Sequence, residues 1–127
     1  MIKLRKNSSM SLFTQGKPSR KRSVWGHNTG TTTEDVYVCP ANCVAELNYL
    51  HIHNTTGNTD ITIEWYVAAD DYTSHYLEGK NLGAGETVTF ADIELVLQAG
   101  DKLQVTPDTA AHVDTILTVT ETFIPVG

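Results

Sequence analysis

The segment VDTILTVTETF, residues 113–123, constrains this chain more than any other. Val113, Thr115, Leu117, Val119, Glu121 and Phe123 fall on one face, and mostly polar residues fall on the other. A period of two over that length specifies a β-strand with one covered face, not a helix. The same grammar runs back to about residue 35, where Thr, Val, Ile and Tyr dominate; the chain holds eighteen Thr. Branched and aromatic side chains suit a pleated surface. Turn residues punctuate the pattern at short intervals: Pro40, Gly57, Gly79, Gly83, Gly85 and Gly100. The spacing predicts strands over residues 35–38, 44–53, 61–67, 75–77, 86–90, 94–97, 102–106 and 113–123. Residues 44–67 read as a hairpin, with Leu47, Tyr49 and His51 on one face of its first strand and Leu50 and Ile52 on the other. The expected fold is all-β: an antiparallel β-sandwich of about eight strands, immunoglobulin-like or jelly-roll-like. A chain of 127 residues is one domain and can bury a core without disulfides or a metal. No run of apolar residues is long enough to span a membrane as a helix.

Charge divides the chain. Residues 1–22 hold Lys3, Arg5, Lys6, Lys17, Arg20, Lys21 and Arg22 and no acid, a net +7. The remainder holds Lys80, Lys102 and all fifteen acids, a net −13. Residues 1–33 show no sustained period, and an export signal is not read there because residues 8–16 lack an apolar stretch. The expected division is therefore an extended basic arm over residues 1–33 and a sandwich domain over residues 34–127. The arm is expected to dock on a neighbouring protein. Lys3, Arg5, Lys6, Lys17, Arg20, Lys21 and Arg22 would supply charge, and Phe13 and Trp25 would supply apolar anchors. Nucleic acid is disfavoured as a partner because the −13 body repels phosphate.

Few residues point to chemistry. Cys39, Cys43, His51 and His53 could be written as a zinc site, but their spacing does not match the economical tetrahedral sites. Buried cysteines and strand histidines are the plainer reading, and a Cys39–Cys43 disulfide needs an oxidising compartment. Cys43 with His51 and Glu46 lacks any motif of an activated nucleophile. Asp70 and Asp71 with Glu46 or Asp60 lack a calcium-loop pattern. Trp65 alternates with Ile61 and Ile63 and is expected in the core, whereas Tyr66, Tyr72 and Tyr76 would make a sugar platform only if all three were exposed on one surface. No catalytic residue, metal ligand or cofactor is assigned.

The order of these elements resembles a known module. Residues 36–68, VYVCPANCVAELNYLHIHNTTGNTDITIEWYVA, are followed by LGAGETV at 82–88, LQAGDKLQV at 97–105 and TVTET at 118–122. This is similar to a recurring β-sandwich of tailed-bacteriophage virion proteins, across residues 35–124 and not the arm. Cys39 and Cys43 stand where that module usually has Val and Thr. The resemblance implies a non-enzymatic structural subunit with no catalytic residues to carry over. It implies homo-oligomers in a symmetric assembly inside a virion put together in the host bacterial cytoplasm. Portal, adaptor, tail or major capsid proteins would be the partners. The tail or neck is the expected position. The alternatives are capsid decoration on the head surface and a carbohydrate-binding module of a host-recognition appendage.

Overall fold

A computed structural model describes residues 18–124 of the chain. Eight strands follow one another: β1 (Ser19–Asn28), β2 (Glu34–Val38), β3 (Cys43–Asn54), β4 (Thr59–Val67), β5 (Tyr72–Leu82), β6 (Thr87–Leu97), β7 (Lys102–Pro107) and β8 (Val113–Phe123). A single 3-10 turn, Ala68–Asp70, joins β4 to β5. The strands form two four-stranded sheets in the orders β1-β8-β3-β6 and β2-β7-β4-β5. Every ladder is antiparallel. Strand 1 thus pairs with 8, 2 with 7, 3 with 6 and 4 with 5. This is one long hairpin of four strand pairs, rolled so that successive pairs alternate between sheets. Of the two sandwich types open to the sequence, it is the jelly roll.

The covered faces carry the alternation read from the sequence. Val113, Thr115, Leu117, Val119 and Glu121 of β8 are buried. They meet Ile61 and Ile63 of β4 and Leu103 and Val105 of β7 in the core. Trp65 packs on the edge of that core, and its Nε1 donates to Asp101 Oδ2 at 3.2 Å. Asp101 also accepts from the backbone N–H of Ala68 and Gln98, so its buried carboxylate organises both the turn before β7 and the one after β4.

Three expectations are corrected. First, residues 44–67 are not a hairpin: β3 and β4 lie in different sheets, so the turn at Gly57 crosses the core instead of closing a ladder. Second, Leu47 does not share a face with Tyr49 and His51. The β3 ladders slip between Leu47 and Tyr49, and this bulge changes the phase of the strand. Leu47, Leu50 and Ile52 all point inward, and Tyr49 and His51 point out. Third, the boundary at residues 33/34 does not separate arm from body. Residues 19–28 are the first strand of the sandwich, paired along their whole length with β8. The strand count agrees with expectation only because β1 was missed while residues 86–90 and 94–97 are one strand, β6.

Glu121 explains why so basic a segment joins an apolar fold. Its carboxylate is fully buried at the inward phase of β8. Arg20 Nε donates to Oε1 at 2.7 Å, Arg22 donates through Nε at 3.0 Å and Nη2 at 2.9 Å, and Tyr37 Oη donates at 2.6 Å. Arg22 above all, then Tyr37 and Arg20, hold the carboxyl down to about 2 against an ordinary 4.5. Further along β1, Gly26 lies against Val36 of β2, where an added methyl would overlap the valine side chain.

Glu121→Gln keeps the shape and removes the charge; the arginines it leaves are partly exposed and solvated, so the cost is about 1–3 kcal/mol, read from urea denaturation at neutral pH. The folded carboxyl titrates below the unfolded one, so its contribution is complete above about pH 4.5 and disappears as the pH falls towards about 2. The wild-type urea midpoint should fall across that window, and the Gln variant should lose this component of the slope. Gly26→Ala should cost about 1–3 kcal/mol by overpacking, in the same assay.

Candidate partner-binding face

The two outer faces both pair polar groups and differ in the apolar side chains they expose. On the β2-β7-β4-β5 face the polar groups are spent on one another. Lys102 Nζ lies 3.3 Å from Asp35 Oδ2 and over the Tyr66 ring. Gln104 donates to Asp35, Tyr66 Oη donates to Asp71, and His75 faces Glu64.

The β1-β8-β3-β6 face pairs polar groups too, His27 with Asp114 at 2.6 Å, His51 with Thr89 and Asn48 with Thr120, but it also exposes a large apolar pair. Ladder registers place Trp25, Ile116, His51 and Thr89 in one row across it. Trp25 is 75% exposed and Ile116 beside it 46%. An indole standing in water beside an exposed isoleucine is the composition of an interface centre more than of a free surface. The next row is Ser23, Thr118, Tyr49 and Ala91. Below it an open hollow of about 580 Å³ is lined by Lys21, Asn48, Tyr49, Asp92, Glu94 and Thr118. Asp92 stands in the left-handed region with φ 55° where β6 bulges away from β3.

The structure sorts the expected docking residues. Lys3, Arg5, Lys6, Phe13 and Lys17 lie outside the described residues. Arg20 and Arg22 are engaged by Glu121 of their own chain, so they are internal clamps; Arg20 also lies over the Phe123 ring. Lys21 and Trp25 alternate with them and point outward. Ile116 was not singled out in the sequence, because its exposure depends on the pairing of β8 with β1.

No protein-family model and no curated protein sequence matches the chain. Solved structures do. A chain of the Bacillus endospore appendages, which are disulfide-linked pili, is 14% identical with a TM-score of 0.54, over 86% of this chain and 89% of that one. A chain of infectious bursal disease virus, Gx strain, is 10% identical with a TM-score of 0.51, over 87% of this chain and 32% of that one. A chain of the acid-stable capsid of Helicobacter pylori bacteriophage KHP30 is 10% identical with a TM-score of 0.50, over 87% of this chain and 94% of that one. The likeness is one of fold.

Geometry also disposes of two chemical readings. Cys43 points into the core and His51 outward, on opposite sides of the β3 bulge. Among the described residues no group of three His, Cys, Asp or Glu side chains is placed to hold a metal ion. Tyr66 points outward, Tyr72 has the opposite phase in the β4–β5 ladder, and Tyr76 packs edge-on against Phe90. The three tyrosines form no common platform.

Cys39 and Cys43 are free and buried. The Cys39 thiol donates to the carbonyls of Cys43 and Leu97, and burial, then Cys43, pushes it up to about 11. Neither cysteine should react with a thiol reagent at about pH 8 in the native protein, and both should react in denaturant. Rapid native labelling would contradict their burial.

Proposed function

We propose that this chain is a non-enzymatic structural subunit of a tailed-phage virion, docking on neighbouring virion proteins through its N-terminal segment and the Trp25 row. The observation that carries this reading is the exposed Trp25–Ile116 pair on a self-contained single jelly roll, directly behind a segment rich in Lys and Arg. A monomer gains nothing by holding an indole in water on the edge strand β1, whereas a repeated subunit buries it once per contact. Lys3, Arg5, Lys6, Phe13 and Lys17 are the proposed contacts of the segment, and Lys21 and Trp25 those of the face. Many weak contacts around a symmetric particle sum to a stable array.

The position within the virion is the finer part of the proposal. The sequence resemblance points to the tail or neck. The likeness to a phage-capsid chain over nearly its whole length favours the second position, decoration of the head surface. The host-recognition alternative loses its motive, because the tyrosines do not converge.

Trp25→Ala should leave the urea midpoint nearly unchanged, since the side chain is exposed, and should reduce incorporation into particles about tenfold or more, measured by quantitative mass spectrometry of purified virions. Normal incorporation of the folded variant would remove Trp25 from the docking surface.

A further inference from the structure

The two sides of the sandwich are closed differently. On one side β1 lies against β2, with Gly26 on Val36 and Tyr37 on Glu121. On the other, β5 and β6 end their sheets next to each other, as the 5.5 Å Tyr76–Phe90 ring contact shows. That side stays open. Leu77, Val88, Phe90, Ile93 and Leu95 pack on the core but are only partly covered. A groove of about 650 Å³ runs there, walled by Tyr76, Phe90, Ile93 and Leu95, with Asp92 and Glu94, which also line the outer-face hollow beside Lys21, at its rim. Among the described residues no Lys or Arg lines it.

We propose that this groove receives the N-terminal segment, residues 2–13, of a second copy of the chain. This rests on the structural-subunit reading and names the partner of the arm. Charge supports the choice. Residues 1–17 hold Lys3, Arg5, Lys6 and Lys17 and no acid, and the groove offers two exposed carboxylates. Apolar content supports it too: Ile2, Leu4, Leu12 and Phe13 match the aromatic and aliphatic wall. Ile2-Lys3-Leu4-Arg5 alternates, so an extended chain sets its apolar side on the wall and its cations at the carboxylates. The bulge at Asp92 interrupts the free edge of β6, so side chains and charge do the holding and not a long added ladder.

Reach allows a second copy, and sedimentation separates it from a fold-back within one chain, which would stay monomeric. The segment leaves the body at Pro18, whose carbonyl accepts from Phe123 N–H on the β1–β8 side. The groove is at the opposite edge of the same sheet. Copies set side by side bring the exit of one to the groove of the next, and seventeen residues reach about 55–60 Å. Such a head-to-tail contact propagates into a ring or an open array.

The test is a charge-swap cycle in the full chain, with self-association followed by sedimentation at low salt. Lys3→Glu with Arg5→Glu and Lys6→Glu, and separately Asp92→Lys with Glu94→Lys, should each weaken association about tenfold or more; the combined variant should recover it. Circular dichroism checks that each variant is folded. Association indifferent to the swaps, or weakened by both without recovery, overturns the inference. So does association lost with Trp25→Ala but kept in the swaps, which would put the contact on the outer face. A chain that is monomeric at every concentration overturns it as well. Particle incorporation measured on the same variants separates the two proposals, because a monomeric chain that still enters virions leaves the structural-subunit reading standing.

Discussion

The carboxylate of Glu121 ties together three strands that belong to two sheets. It sits in β8, takes both arginines of β1 in its own sheet, and takes the Tyr37 hydroxyl from β2 in the other. An isolated charge in that position would be prohibitive, since burying an ion costs several kcal/mol unless every lone pair is met. Four donated hydrogen bonds meet it. The dependence runs both ways. Without β1 the carboxylate is unpaired; without Glu121 the strand Ser19–Asn28 has little apolar surface of its own, since only its last residue is fully buried.

That dependence sets where the molecule can meet others. Closing one side with charge and a glycine contact fixes β1 at the edge of its sheet and turns Trp25 outward by simple alternation. Among the described residues the opposite side has no equivalent clamp, and the inward residues of β6 stay partly exposed there. Both outer faces pair polar groups, and the β1-β8-β3-β6 face also exposes Trp25 beside Ile116. The likeness to pilus and capsid chains is a likeness of fold, while the surface asymmetry belongs to this chain's own residues.

Much of the body was legible because β8, β4 and β7 keep strict alternation, and turn glycines mark their ends. What was hidden had physical causes. The strand β1 reads as a charged tail because its inward positions are Arg20 and Arg22, and inward arginines look like solvent-facing ones until a buried acid is found to match them. The sign was present in Glu121, a carboxylate at the covered phase of a strand, which demands cations somewhere. The bulge in β3 was illegible since nothing in LNYL announces a change of phase. Asp92, a non-glycine residue at positive φ, split β6 into two apparent strands. Of the candidate face, Trp25 and Lys21 were singled out from composition alone. Their separation from Arg20 and Arg22 required the pairing with β8.

The pairing of the first strand with the last has a mechanical side. Ser19 lies opposite Thr122, so the described chain enters and leaves at the same corner. Tension applied between those two points acts across the β1–β8 ladder and opens its hydrogen bonds one after another, like a zip. Force that enters through Ser19 and leaves through the sheet faces instead pulls along the ladder and must shear all of its bonds together. A domain of this topology resists strain that passes through its body and yields to strain that passes from end to end.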